Sequence, residues 1–407
     1  MGEKIVPNGN PITLSVVIPA LNEEDGITNI MGRVLSVRPA LETIGVGDLE
    51  LIVVDDGSRD RTPQIVESTP GVRLVRHPVN RGYGAALKTG FHTATGELLA
   101  FLDADGTYPP EYFPQLCQAA LDGADVVVGS RRSGAKSEMP AVRRLGNLIW
   151  SNLLSAIAGQ RVMDPASGMR VFRREILEQL YPLPDGLNFT PVMSTRSAHE
   201  QLQVVEIAIP YKERLGRSKL NVVHDGVRFL RTILWTALNY NPVRILGSIG
   251  VALVGFGLLV GLALVGMRLS GITSLGPIGV AATFSAVVAG ITGVNLFALG
   301  VTFNYLVSLF HKRPIRQGLF GKPLLRTPIE NHFWWIGSLM IAAGTLIGVV
   351  SFFLALDGWP VTRLWLYLLG GSMLTLLGVQ LFIFWVIVNV LSELSQRDAM
   401  VEQDMTA

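Results

Sequence analysis

Leu14-Ser15-Val16-Val17-Ile18-Pro19-Ala20-Leu21-Asn22-Glu23-Glu24 is a β-branched run that stops at a proline and ends in two carboxylates. It opens a series. Short apolar runs at Leu14–Ile18, Leu49–Val54, Val72–Val75, Leu98–Leu102 and Asp125–Val128 alternate with helical patterns. The helical patterns lie at about Glu24–Val37, Thr62–Ser68, Ala85–Thr93, Glu111–Leu121 and Ala141–Ala158. This alternation predicts an α/β domain, a mostly parallel sheet with helices on both faces. Ligands of such a sheet bind beyond the carboxyl ends of its strands.

The turn after the first strand narrows the ligand. A dinucleotide-binding sheet places Gly-x-Gly-x-x-Gly there, so that bare N–H groups meet a pyrophosphate. Pro19–Glu24 holds no glycine, which disfavours a nicotinamide or flavin enzyme. Gly82-Tyr83-Gly84-Ala85-Ala86-Leu87 comes nearer the pattern, but it follows the third strand and lacks the last small residue. What the strand ends share is acid: Glu23 after the first, Asp55 and Asp56 after the second, Asp103 and Asp105 after the fourth. Carboxylates at one mouth repel each other unless positive charge lies between them, and a hard divalent cation is the economical answer. Such a cation could bridge to the phosphates of a nucleotide. Asp, Gly and Pro also make turns on their own account, as in Asp56-Gly57-Ser58; recurrence at three strand ends favours the ligand reading.

The second half of the chain is different material. Of 34 Lys and Arg and 32 Asp and Glu, nine fall between Ile245 and Leu391. Four apolar runs there, at about 245–267, 280–308, 333–356 and 364–391, are long enough to span a bilayer. His311–His332 carries five basic residues, whereas the first and third connections carry one each, Arg268 and Arg363. The positive-inside bias then puts both termini and the catalytic domain in the cytoplasm, in a multi-pass membrane protein. No signal-peptide pattern opens the chain. Asn295, Asn304 and Asn389 read as helix–helix hydrogen bonds between spans, and the spans offer a route to a homo-oligomer. The single Cys117 sits in a helical stretch and reads as packing in a reducing compartment. A net charge of +2 argues against a nucleic-acid partner. The expected division is 1–220 for the α/β domain, 221–242 for an interfacial amphipathic linker, 243–392 for the spans and 393–407 for a cytoplasmic tail.

The motifs resemble, in order, those of the family 2 glycosyltransferases, and among them the dolichyl- or polyprenyl-phosphate sugar synthases. They are Val16–Glu23, Val53–Ser58, Asn80-Arg81-Gly82, Leu102-Asp103-Ala104-Asp105, Gly129-Ser130-Arg131, Asp164–Gly168 and Gly216-Arg217-Ser218-Lys219-Leu220. The resemblance implies a GT-A-type nucleotide-sugar-binding domain followed by a four-helix transmembrane domain. It implies that Pro19, Leu21, Glu23, Val54 and Asp56 hold the base and ribose, that Asp103 bonds the ribose or assists the metal, that Ala104 and Asp105 also belong to the donor site, and that Lys219 steadies the diphosphate. Asp105 and Asp103 would ligate Mg2+ or Mn2+. Thr107 stands where the synthases typically place Gln as a further ligand; it is a poorer ligand, and water can complete the shell. Arg131, Arg143 and Asn147 would bind the acceptor phosphate, making Asp103, Asp105 and Arg131 the catalytic set.

A lipid phosphate needs no general base, because its second pKa of about 6 leaves it anionic in the cytoplasm. It needs cations to guide it past the donor's own phosphates, and Arg131, Arg143, Arg144, Arg214, Arg217 and Lys219 are the candidates. His199 and His224 read as structural or surface residues. Leu145–Ala158 and Asn221–Tyr240 have the composition of interfacial helices that would hold the site at the bilayer. The expected reaction is thus metal-dependent inverting transfer of a hexose, from GDP-mannose or a UDP-hexose, to a polyprenyl or dolichyl phosphate. A processive polysaccharide synthase of the same fold would carry Gln-x-x-Arg-Trp, and the chain has no Arg-Trp pair. A non-catalytic membrane scaffold would have no use for the Asp103/Asp105 pair.

Overall fold

The computed structural model describes residues 11–132, 141–158, 160–211, 222–272, 274–311 and 329–406. The chain forms two compact units, Met1–Thr236 and Ala237–Ala407.

In the first unit the strands are β1 (Ile12–Ala20), β2 (Val46–Asp55), β3 (Val72–Arg76), β4 (Leu98–Phe101), β5 (Val126–Ser130), β6 (Arg170–Arg173) and β7 (Val204–Ala208). They make one sheet in the order β3-β2-β1-β4-β6-β5-β7. β1, β2, β3 and β4 pair in parallel, as do β5 and β7; β6 runs antiparallel between β4 and β5. The helices are α1 (Ile27–Ser36), α2 (Arg38–Glu42), α3 (Thr62–Glu67), α4 (Tyr83–Thr93), α5 (Phe113–Leu121), α6 (Ala141–Ala158), α7 (Leu177–Leu180), α8 (Phe189–His199) and α9 (Val222–Leu238).

Alternation along the strands builds two cores. Leu14, Val16 and Ile18 of β1 join Leu51 and Val53 of β2 and the Ile27, Ile30, Met31 and Val34 stripe of α1. Val17, Ile52, Val54, Leu99 and Phe101 face the other way, against Leu87 and Phe91 of α4 and Phe189 of α8. A sheet buried on both faces explains the near-continuous apolar strands. β6, β7 and α8 were not foreseen. β6 is four buried residues bounded by arginines, Arg170 to Arg173, and α8 is buried nearly all round; neither carries the period that marks a half-exposed element.

The strand order reverses beside β1: β2 lies on one side of it and β4 on the other. That is the switch point where a crevice opens at the carboxyl ends of an α/β sheet. The chain emerging from β1, β2 and β4 carries Glu23, Asp56, Asp103 and Asp105 to it.

The second unit holds α10 (Ser248–Leu269), α11 (Pro277–His311), α12 (Phe333–Leu356) and α13 (Val361–Thr406). Four stretches, Val243–Met267, Pro277–Phe310, Ile329–Leu356 and Leu364–Leu394, are long and apolar enough to cross a membrane. Large apolar side chains such as Leu258, Leu259, Leu262, Phe352 and Phe353 are exposed on them, an arrangement that suits lipid and not water. With no hydrophobic drive between helices in lipid, close packing has to hold them. α12 and α13 supply it where Gly337 meets Gly378 and Gly344 meets Gly371: a Cβ on Gly344 would lie 2.5 Å from both Gly371 O and Thr375 Oγ1. Asn295, expected to bond across helices, donates its Nδ2 to Ile291 O one turn back on α11. An amide four residues from a carbonyl on its own helix reaches it without any partner helix.

Gly344→Val should force α12 and α13 apart and cost about 1–3 kcal/mol, the usual range for overpacking. Thermal unfolding in detergent would show the loss in the helical unit, with the α/β unit's transition unmoved.

Candidate active site

The loops after β1 and β2 are tied to each other. Asn22 sits at φ +52, a left-handed conformation that Asn tolerates better than most residues. Its N–H donates to Ser58 Oγ (2.9 Å), and its own Oδ1 accepts from Arg59 N (2.9 Å). Glu23 N donates to Thr62 Oγ1 at 2.9 Å, and Asp56 N to Ala20 O at 2.8 Å. Beside these loops lies a cleft of about 780 Å³, lined by Leu21, Asn22, Asp55, Ser58, His77 and Asn80 among others. Glu23, Asp103 and Asp105 are not among its lining residues.

Asp56, expected at the base and ribose, is engaged within the protein. It is buried, and its Oδ1 accepts from Arg81 N (2.9 Å) and pairs with His77 Nδ1 (2.7 Å), while Oδ2 accepts from Gly82 N (2.9 Å). His77 Nε2 meets Thr89 Oγ1 at 2.9 Å. Asp56 therefore anchors the Asn80–Gly82 turn, and its carboxylate is spent on protein donors. Val54, also expected at the base and ribose, packs its side chain in the apolar core with Val17 and Ile52, because its register position faces α4. Pro19 pairs with it across the strands and is buried too.

The Gly82/Gly84 turn does not cradle phosphate. The N–H groups of Gly84 and Ala85, at the start of α4, donate to Asp185 O at 2.7 and 3.2 Å. A Cβ on Gly84 would stand 2.1 Å from Pro184 O. The glycine is there for the approach of the 184–186 backbone, which Lys88 locks by donating to Leu183 O (2.9 Å) and pairing with Asp185.

Asp103 and Asp105 are each oriented by a hydroxyl. Tyr83 Oη donates to Asp103 Oδ1 at 2.8 Å. Thr107 donates to Asp105 Oδ1 from Oγ1 (2.6 Å) and from its backbone N–H (3.2 Å). Thr107 and Ala104 are buried, whereas both carboxyl-bearing residues are half-exposed. The hydroxyl proton of Thr107, expected on a ligand, is directed at the neighbouring carboxylate, so Thr107 orients Asp105. Among the described residues no three His, Cys, Asp or Glu side chains gather to hold a metal. Two hard carboxylates fit an ion such as Mg2+, which takes one or two of them and completes its shell with substrate phosphates and water.

Arg131 and Asn147, expected on an acceptor phosphate, are brought together by a third residue. Arg131 donates from N and Nε to Asp164 Oδ2 (2.9 and 2.8 Å) and from Nη2 to Oδ1 (2.6 Å); Asn147 Nδ2 reaches Oδ1 at 2.8 Å. The guanidinium carbon lies 5.9 and 5.5 Å from the ring centres of Tyr108 and Tyr211. Burial works against both charges, but Asp164 beside it raises the pKa of Arg131, and Arg131 with Asn147 holds Asp164 below the usual carboxylate value. The pair is ionised and largely self-neutralised. Nothing is described of the Arg143 side chain, and Lys219, Arg214 and Arg217 lie outside the described residues.

Arg170 stitches the same loop from beneath. Wholly buried, it donates from Nε to Ser167 O (3.2 Å) and from Nη2 to Pro165 O (2.9 Å), Thr190 O (3.2 Å) and Ser194 Oγ (2.8 Å). Burial pushes its pKa down to about 10. Tyr83, His77 and Arg170 were not singled out from the sequence, whereas Asp164 was read there as ordering the acceptor loop. Only Asp164 had a signal there, in its Asp-Pro-x-Ser-Gly turn.

Residues 15–181 match the family described as glycosyl transferase family 2, and residues 242–402 match a domain of unknown function (DUF8752). An undecaprenyl-phosphate 4-deoxy-4-formamido-L-arabinose transferase of Edwardsiella ictaluri (strain 93-146) is 31% identical over 330 residues, covering 77% of this chain and 94% of the relative. A dolichyl-phosphate hexose transferase of Haloferax volcanii is 32% identical over 225 residues, covering 55% of this chain and 94% of the relative. Among solved structures, a Mycobacterium tuberculosis glucosyl-3-phosphoglycerate synthase with Mn2+, UDP and phosphoglyceric acid covers 56% of this chain and 78% of its own. It does so at 24% identity and a TM-score of 0.47.

Asp164→Asn keeps the shape of the Arg131 partner but strands a buried cation, at a cost of about 3–5 kcal/mol near neutral pH. Because the folded pKa of Asp164 is depressed, the deficit is complete above the ordinary carboxylate value of 3.8. It disappears as pH falls through the lower folded value. Thermal unfolding of wild type and variant across the acid range measures both.

Proposed function

Given that this chain belongs to glycosyl transferase family 2, a glycosyltransferase with a GT-A-type sheet, we propose that it moves a hexose from a nucleotide sugar to a polyprenyl phosphate. The reaction inverts the anomeric centre, depends on a divalent cation and takes place at the cytoplasmic face of the membrane. The observation that carries the reading is the Asp103/Asp105 pair. Two carboxylates, each oriented by its own hydroxyl donor, stand at the switch point of the sheet. The relatives named for transfer to undecaprenyl and dolichyl phosphate support the acceptor class.

The donor's base and ribose are assigned to the cleft of Leu21, Asn22 and Ser58, and its diphosphate to the Asp103/Asp105 side with Lys219. Mg2+ or Mn2+ held by Asp105 and Asp103 would supply charge that stabilises the departing nucleoside diphosphate. Thr107 keeps Asp105 turned to that task, and Tyr83 does the same for Asp103. An oxygen of the ionised lipid phosphate attacks the anomeric carbon as the bond to the nucleoside diphosphate breaks on the opposite face. No protein group need remove a proton. Arg143 and Arg131 are assigned to the acceptor phosphate; Asp164 holds Arg131 in a single orientation between two aromatic rings, so its remaining edge is presented without reorganisation.

The lipid tail stays in the bilayer, so the site has to work at its surface. α6 exposes Arg144, Leu145, Leu148 and Ile149 on one face, and α9 exposes Val227, Arg228, Arg231 and Trp235. Apolar side chains beside arginines are the composition of a helix lying in the headgroup region. We assign both helices to that role, as the support that keeps the catalytic unit at the membrane.

Asp105→Ala should abolish transfer from radiolabelled GDP-mannose or UDP-hexoses to a polyprenyl phosphate in membranes, with the protein still folded by thermal unfolding. Undiminished transfer would remove Asp105 from the reaction; no transfer by the wild type with any donor of the panel would remove the assignment as a whole.

A further inference from the structure

We propose that Tyr83 is the positioning residue for Asp103: its phenol, with the bare backbone of Gly168 opposite, holds that carboxylate in one orientation before any ligand arrives. The role rests on the assignment of Asp103 to the nucleotide-sugar site under Proposed function.

Tyr83 is held by three independent anchors. It follows Gly82, which has φ +105, in the turn whose Arg81 and Gly82 N–H groups are gripped by Asp56. The next two N–H groups, of Gly84 and Ala85, are taken by Asp185 O. Its ring packs edge-on against Phe189, with centroids 6.5 Å apart at 77°. The hydroxyl is therefore delivered to Asp103 Oδ1 at 2.8 Å by a fixed backbone and a packed ring. A hydroxyl donating to a carboxylate is among the stronger hydrogen bonds available.

On the other side stands Gly168. A Cβ there would lie 2.3 Å from Asp103 Oδ2 and 2.7 Å from its Cγ, so any side chain would drive the carboxylate out of place. This wall cannot recede, because Gly168 N donates to Tyr108 Oη at 2.7 Å, and Ser167 Oγ is bonded to Gly129 O at 2.6 Å. Asp103 is thus held by a donor on one side and by van der Waals contact on the other. A group oriented before binding need not reorganise when the charged ligand arrives, and that is where preorganised sites gain. Phenylalanine at position 83 would keep the ring contact and delete the donor alone.

The test uses the purified full-length protein in detergent and calorimetric binding of UDP and of GDP, each with and without Mn2+. Wild type is expected to bind one of the two more tightly with Mn2+. In Tyr83→Phe that Mn2+-dependent gain should shrink about 10-fold, the scale of a lost hydrogen bond to a charged group, while ion-free binding and melting temperature stay as in wild type. Gly168→Ala, which disturbs Asp103 from the opposite side, should diminish the same gain. A Tyr83→Phe protein with the full wild-type Mn2+ gain, or one weakened equally with and without the ion, would overturn the role. Wild type that binds neither nucleotide would overturn the nucleotide-sugar reading itself, an outcome distinct from a loss confined to the variant.

Discussion

Like charges crowded at one end of a sheet repel, and the α/β unit answers that repulsion one carboxylate at a time. Asp55 accepts from Ser58 N and lies 3.7 Å from Arg76 Nε. Asp56 takes His77 and two N–H groups, Asp103 takes Tyr83, Asp105 takes Thr107, and Asp164 takes Arg131 with Asn147. Most of these donors come from loops or helix starts whose place depends on the sheet. Hydrogen bonds to an ionised group favour the charged form and fix its direction. The same bonds that let the carboxylates coexist also decide which of them remain for a ligand. Asp56 and Asp164 become internal anchors, whereas Asp103 and Asp105 stay half-exposed at the crevice.

The two units are built on different physics. The α/β unit buries apolar surface on both faces of its sheet and gives many of its buried polar groups specific partners, among them Nε and Nη2 of the wholly enclosed Arg170. The helical unit presents apolar surface outward and relies on contact: glycine against carbonyl between α12 and α13, and side chains such as Thr283, Thr302 and Thr375 that bond back to their own helices. The proposed transfer to a lipid-borne phosphate would use both, since its donor would be soluble in water and its acceptor would not.

How much of this was readable in advance differs from element to element. α1 carries a period of 3.6 residues because one side of it meets a core and the other does not, whereas β1 and β2 are legible as near-continuous apolar runs closed by acidic turns, because both their faces are buried. The four spans are readable because lipid tolerates few charges over such a length. β6 is not, being four residues bounded by arginines, and neither is α8, since a helix buried nearly all round has no periodic face. Asp103 and Asp105 stand out by their spacing after a strand. Tyr83, eighteen residues before Asp105's own strand end, gives no such sign; only the fold of the Gly82 turn carries its hydroxyl there.

The order of short strands and acidic turns, and the charge-poor second half, determined by themselves the α/β sheet, the spans and the end of the sheet where the acidic turns gather. These follow from local period, turn chemistry and the length a bilayer demands. Tertiary structure alone decided what each carboxylate does. Asp56 and Asp103 are the same residue type after similar strands. One is enclosed by His77, Arg81 and Gly82 and the other is held half-open by Tyr83 and Gly168, because the partners that separate them come from chain segments that only the completed sheet brings together.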